Sequence, residues 1–147
     1  MIAKSSHLVH KYGFAEALCR LDGVFAIVYV SRNYVYMTRD RIGVKPLFYR
    51  SGSATLTVAS EPIGLDGIDG IDINDLDPIV EILPATYTVF DKATMIAKTH
   101  EYDTLPVSIV YTNEETTLTQ VRETLIEAVR KRLCSDRPIG CLLSGGL

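Results

Sequence analysis

The sequence predicts an α+β fold: antiparallel sheet over roughly the first hundred residues, then a helix and a short strand. Short β-branched and aromatic runs separated by turn residues fill much of residues 24–90. A helical period then takes over, with Leu118, Val121, Leu125, Val129 and Leu133 on one face and Ile126 beside them. The final residues read as a short buried strand, Ile139-Gly-Cys-Leu-Leu143, opening a glycine-rich loop at Ser144-Gly-Gly146.

Each element follows in order. Leu8, Val9, Ala15 and Leu18 lie among polar residues, so a short helix is expected to break near Gly13 and resume toward Leu18. Asp22-Gly23 is a turn signal. Val24 to Val30 has no polar residue, which predicts a strand covered on both faces. Ser31-Arg-Asn33 turns the chain, and Tyr34 to Thr38 returns as the antiparallel partner. Arg39 to Tyr49 reads as a loop with Gly43 and Pro46 running into a short strand, and Thr55 to Ala59 as another. Consecutive strands of this kind predict a meander.

Residues 66–77 carry a tandem Gly-Ile-Asp unit and five aspartates. Their spacing does not match an EF-hand loop. The expectation is a solvated acidic loop capping a short helix that ends near Leu83. Thr86 to Phe90 reads as a strand, followed by a turn at Asp91-Lys92. Residues 103–115 are polar and aperiodic, which divides the chain into domains at 1–102 and 116–147 with a linker between. Thr117 and Gln120 have capping-box spacing, Arg130 to Arg132 suit a helix C-terminus, and Asp136 to Pro138 break the helix.

Composition excludes several classes of function. The 147 residues are 47% hydrophobic and 22% charged, enough for a core. Fifteen cations against eighteen anions give a net charge of −3 without a basic run, which disfavours a nucleic-acid surface. No apolar stretch is long enough to span a bilayer, and the N-terminus lacks the layout of a secretory signal. Cys19, Cys134 and Cys141 are odd in number and lack CxxC spacing, so neither a disulfide framework nor a zinc ribbon is expected. The expected compartment is the reducing cytoplasm. His7, His10 and His100 do not cluster by spacing, so no metal site is expected, and Cys134 and Cys141 are expected in apolar packing.

A strand leading into Ser-Gly-Gly suits phosphate, because glycines let backbone N–H groups approach it closely. Such a loop normally delivers the chain into a helix whose N-terminus adds its dipole. None follows here, which predicts a chain cut within a nucleotide-binding element.

Several motifs in register carry a resemblance over nearly the whole chain. Ile139 to Leu147 resembles the start of the PP-loop of ATP pyrophosphatases, and Arg130 to Pro138 resembles the helix end and turn before that loop in asparagine synthetases. Leu21-Asp-Gly-Val-Phe-Ala-Ile-Val-Tyr29 and Arg39-Asp-Arg-Ile-Gly-Val-Lys-Pro-Leu-Phe-Tyr49 resemble the second half of a class II glutamine amidotransferase domain of N-terminal-nucleophile type. Ala59-Ser-Glu-Pro62 is similar to the family's Ala-Ser-Glu element. Leu83-Pro-Ala-Thr-Tyr87 is similar to its Pro-Pro-Gly-x-Tyr element, with Ala85 in place of glycine. The family so resembled is glutamine-hydrolysing asparagine synthetase.

The resemblance implies a partial N-terminal-nucleophile amidotransferase sandwich, a layered antiparallel structure, followed by the first helix and strand of an α/β PP-loop domain, and with it an enzyme of two sites. One hydrolyses glutamine; the other activates aspartate with MgATP as an aspartyl-adenylate, which ammonia converts to asparagine. The glutaminase nucleophile in the family is an N-terminal cysteine whose own amine acts as base. This chain begins Met1-Ile2, and Cys19 has no free amine and is expected on a buried helix, so no catalytic residue is assigned. Leu142, Ser144, Gly145 and Gly146 match the ATP-binding loop without its Asp-Ser continuation, so tight binding of ATP with Mg is not expected. Arg39, Asp40, Gly43, Lys45, Pro46, Ser60 and Glu61 form a structural motif assigned near the domain junction. Within it, Arg39-Asp40 is expected as an orienting ion pair, and Ser60-Glu61 as the cap and anchor of a turn. Glutamine, aspartate and ATP are the implied partners, together with complementary fragments of the same enzyme. A non-catalytic interaction module, or another class II amidotransferase joined to a PP-loop domain, such as a lactam synthetase, remains an alternative. Strand edges left open predict poor solubility of the chain alone.

Overall fold

The computed structural model of the protein describes residues 2–66, 68–104, 113–142 and 145, with side chains from residue 7 onward. Two compact units, Met1–Pro106 and Val107–Leu147, are each taken by themselves.

The first unit opens with helices α1 (Ile2–Tyr12) and α2 (Phe14–Cys19). The break falls at Gly13, whose φ of +80° is a conformation glycine adopts without strain. Among the described residues seven strands follow: β1 (Ala26–Val30), β2 (Tyr34–Arg39), β3 (Phe48–Ser51), β4 (Leu56–Ala59), β5 (Val80–Glu81), β6 (Thr86–Asp91) and β7 (Ile96–Glu101). They form two antiparallel sheets, in the orders β1-β2-β6-β7 and β4-β3-β5.

Between the sheets sits the core: Val35 and Met37 of β2, Leu47, Tyr49 of β3, Ile82 and Phe90 of β6. Strand alternation sends the neighbouring residues to the opposite face. There Phe14 of α2 lies against Tyr36, Tyr87 and Tyr29, at ring separations of 4.7, 5.6 and 6.1 Å. The first sheet is thus packed on one face against the second sheet and on the other against a helix.

Four expectations for this unit need correction. The strands do not form one meander: β2 pairs with β6, and the chain builds the second sheet in between. The Arg39–Pro46 loop carries it from one sheet to the other. β1 is an edge strand with Val28 and Val30 exposed, so its two faces are not both covered; among the described residues no strand lies beyond it. The acidic segment does not cap a helix ending near Leu83. Asp72 caps a single 3₁₀ turn, Ile73–Asp75, by accepting a hydrogen bond from the Asn74 amide (2.9 Å), and β5 follows. Pro78 and Pro84 punctuate that stretch, and the β-branched Ile79-Val80 between them suits a strand. Finally, β7 escaped the sequence reading because Ile-Ala-Lys-Thr-His-Glu is too polar to resemble a strand. It is held by β6, through which Thr88 and Thr99 exchange a hydroxyl hydrogen bond at 2.9 Å.

The second unit contains α3 (Glu114–Arg132). Its N-cap is Asn113, whose side chain accepts from the Thr116 amide at 2.8 Å, four residues before the expected Thr117. The cations of the last turn stand where expected. Most of the expected linker, residues 105–112, lies outside the described residues. Ile139 to Leu142 form no strand and are exposed, contrary to expectation. Among the described residues of this unit no second strand is present to take their backbone hydrogen bonds; Leu143 lies outside them.

Candidate functional site

The Arg39–Pro46 loop is held by side-chain bonds from Arg39 and Asp40. Arg39 ends β2, opposite Ala26 of β1, and is only 5% exposed. Its guanidinium donates to the carbonyls of Lys45 (2.7 Å), Gly43 (2.6 Å) and Ile82 (2.8 Å) and to the Glu81 carboxylate (2.7 Å). Asp40 is 3% exposed. Its Oδ1 accepts from the amides of Ile42, Gly43 and Val44, and its Oδ2 from those of Phe25 and Lys45. Arg39 and Asp40 are therefore not an ion pair with each other, as the sequence suggested. Successive side chains of a strand point to opposite faces, so Arg39 finds Glu81 of β5 while Asp40 folds back over its own loop.

Burial, the largest influence on Asp40, raises its pKa, but the backbone amides of Val44, Lys45, Phe25 and Gly43 together outweigh it and hold the carboxyl below the ordinary aspartate value. Both oxygens are occupied by donors, so this carboxylate organises a loop and has no lone pair turned toward a substrate. Gly43 is needed where it stands. Its φ is +72°, and a Cβ there would lie 2.6 Å from Pro84 Cγ and 2.9 Å from Arg39 Nη2. Lys45 gives its backbone to both Arg39 and Asp40 and leaves its ammonium exposed; Pro46 leads into Leu47, whose carbonyl takes the Ile82 amide at 2.9 Å.

Two residues that the sequence did not single out complete this cluster. Tyr102, just past β7, donates its hydroxyl to the Arg39 carbonyl at 2.7 Å, and burial pushes its pKa up to about 12. Glu81 of the two-residue β5 supplies the carboxylate that Arg39 meets. Neither carries a local signal, because a two-residue strand and the end of a polar strand have no legible period.

The other expected residues are more scattered. Glu61 occupies the N-cap position of a 3₁₀ turn, Pro62–Leu65, but makes no side-chain cap; the turn closes through the Gly64 amide on the Glu61 carbonyl at 3.0 Å. Ser60 and Glu61 are both exposed, so the turn is held by backbone and by Pro62, not by their side chains. In the second unit Leu142 is fully exposed, and Gly145 has a left-handed φ of +67°. Ser144 and Gly146 lie outside the described residues. Cys134 and Cys141 are exposed, not packed in apolar surroundings, because the strand meant to bury Cys141 does not form. Cys19 is exposed as well: Ala17 and Leu18 are the buried residues of α2, and the Cys19 thiol donates to the Tyr102 carbonyl at 3.3 Å. His100 stacks on Tyr87 at 5.1 Å. Among the described residues, no three His, Cys, Asp or Glu side chains meet as metal ligands would. Nor, among them, is any helix long and apolar enough to cross a membrane.

Comparison with known proteins places this geometry. The family model described as glutamine amidotransferase domain matches residues 6–124, and that described as asparagine synthase matches residues 120–147. Asparagine synthetase [glutamine-hydrolyzing] of Homo sapiens is 34% identical over 163 aligned positions, which cover 96% of this chain and 28% of that protein. The Gallus gallus protein of the same name is 35% identical with the same coverage. The chain thus spans 28% of the length of these curated relatives. Among solved structures, the glutamine phosphoribosylpyrophosphate amidotransferase of B. subtilis, complexed with ADP and GMP, matches 67% of this chain and 22% of its own. With a TM-score of 0.55 and 18% identity, it shows a likeness of fold over that part of the chain. The chain belongs to the glutamine amidotransferase domain family and, in the order found in its asparagine synthetase relatives, runs from that domain into the start of an asparagine synthase domain.

Proposed function

We propose that this chain serves the ATP-dependent amidation of aspartate to asparagine, using ammonia released from glutamine, as part of an asparagine synthetase. The observation that carries this reading is the tandem match: amidotransferase residues 6–124 run directly into synthase residues 120–147, in the relatives' order and along 96% of the chain. Residues 1–102 would be the C-terminal portion of the glutaminase domain, 103–115 the linker and 116–147 the start of the synthetase domain.

The part played by this chain's own residues in that reading is positioning. Arg39, Asp40, Gly43, Lys45 and Pro46 would fix the loop joining the two sheets, with no proton transferred, since the polar groups of Arg39 and Asp40 are engaged within the fold. Ser60 and Glu61 would mark the adjoining turn. Leu142, Ser144, Gly145 and Gly146 would form one wall of the ATP site. The left-handed backbone of Gly145 fits a loop that turns N–H groups toward phosphate. Among the described residues no three carboxylate, histidine or cysteine side chains converge, so the magnesium that accompanies ATP would be held largely by the nucleotide's phosphates. The reacting cysteine and the remaining metal ligands would come from complementary segments of the enzyme, acting in the cytoplasm.

A chimera tests this reading: the human relative with its matching segment replaced by this chain. Asparagine formation is followed with glutamine and, separately, with ammonia as nitrogen donor. The proposal expects product with both. A folded chimera that makes asparagine with neither donor contradicts it.

A further inference from the structure

The chain leaving β7 is fastened by a set of bonds that the loop's own organisation does not require. The Tyr102 amide donates to the Ala85 carbonyl at 3.0 Å, extending the β6–β7 ladder by one residue. The Tyr102 hydroxyl donates to the Arg39 carbonyl at 2.7 Å, and the Tyr102 carbonyl accepts from the Cys19 thiol at 3.3 Å. Arg41 spans the same gap: its Nε pairs with the Asp103 carboxylate, and its Nη2 donates to the Cys19 carbonyl at 3.3 Å. Tyr102 and Asp103 are thereby tied at once to the end of α2 and to the Asp40-organised loop. The loop is itself anchored, because four of its backbone amides, and that of Phe25, converge on one buried carboxylate.

We infer that Tyr102, Asp103 and Arg41 form a clasp that sets the direction in which the chain leaves the amidotransferase sandwich, and that they are positioning residues for the use of glutamine-derived ammonia. The inference rests on the proposed function for its second half only. A clasp that fixes where the linker departs would matter little when ammonia is supplied from solution. It would matter when nitrogen must pass from one site to the other, since transfer depends on the two being held in a set geometry.

Two measurements test it. In the chimera, Tyr102→Phe removes only a hydroxyl, and Asp103→Ala only a carboxylate. Each is expected to lower glutamine-dependent asparagine formation about fivefold relative to ammonia-dependent formation, the scale of one lost hydrogen bond or ion pair, with glutamine hydrolysis unchanged. The exchanged pair Arg41→Asp with Asp103→Arg is expected to restore the ratio that Asp103→Ala loses. Equal falls with both donors, or no fall with either, would overturn the functional half. In this chain itself, with Cys19, Cys134 and Cys141 replaced by serine, nitroxide labels at Arg32 and Thr104 report the geometry directly. A narrow distance distribution that broadens in the Tyr102→Phe/Asp103→Ala double variant is expected; an unchanged width overturns the clasp. A parent chimera inactive with both donors would refute the proposed function, and the label distances would still decide the clasp.

Discussion

The Arg39–Asp40 loop and helix α3 solve opposite problems. In the loop, two charged side chains lie buried, and each is surrounded by partners from its own chain. Along α3 and its C-cap, Leu118, Val121, Leu125, Val129 and Leu133 follow the helical period, yet all five are exposed. Polar residues are thus fully used where apolar ones are not. Burying an ionised group is costly unless its hydrogen bonds are met, so a loop with buried charges must specify its own geometry completely. An apolar stripe specifies only that something should cover it.

The largest expected effect is at Asp40. Asp40→Ala leaves the amides of Phe25, Ile42, Val44 and Lys45 without their acceptor, while Gly43 keeps the Asp40 backbone carbonyl, and is expected to cost about 4 kcal/mol, against well under half of that for a surface carboxylate such as Asp69. Urea unfolding followed by tyrosine fluorescence measures both. Equal costs would break the contrast between loop and surface.

Gly43→Ala comes next, at about 2 kcal/mol, since the new methyl meets Pro84 and Arg39 in a conformation that disfavours any side chain. Gly145→Ala has a similar φ with nothing within 4 Å, and is expected to cost roughly half as much or less. Measured by the same unfolding method, the difference between them isolates packing from backbone strain.

The dependence on pH sharpens the comparison further. The folded pKa of Asp40 is lowered, so the folded chain binds its proton less readily than the unfolded chain does. The stability it contributes is whole above the unfolded value of about 3.9 and is lost as pH falls through the folded value. The stability gap between the parent and Asp40→Asn should therefore be constant from about pH 5 upward and shrink below about pH 4. A gap that widens on acidification would contradict the assignment.

The smallest effect belongs to α3. Leu125→Ala is expected to change stability by about 0.5 kcal/mol or less, whereas Met37→Ala, at a fully buried position, should cost about 3 kcal/mol. A large loss at Leu125 would mean that the stripe is covered.

The same contrast explains what the sequence made legible. The α1–α2 break at Gly13, strands β2, β4 and β6, and the face of α3 were read from period and turn residues, which are local signals. Arg39, Asp40 and Gly43 were recognised as one motif, but their geometry was misread as an ion pair. The true partner of Arg39, Glu81, lies 42 residues on in a strand two residues long. β7 and Tyr102 were missed because their stability comes from pairing with β6 and from the hydroxyl on Arg39, neither of which leaves a pattern in neighbouring residues. Ile139 to Leu142 carry a strand's composition without a strand's neighbour, and composition alone does not make hydrogen bonds.

Amide hydrogen exchange on the intact chain tests most directly the claim that the Arg39–Asp40 loop is a self-sufficient structural knot. The amides of Phe25, Gly43 and Val44, all bonded to the Asp40 carboxylate, should exchange only with opening of the surrounding sheets, as slowly as the amides between β2 and β6. Exchange at those positions as fast as at Gly140 and Cys141 would show that the buried carboxylate does not hold the loop, and the account would be wrong at its centre.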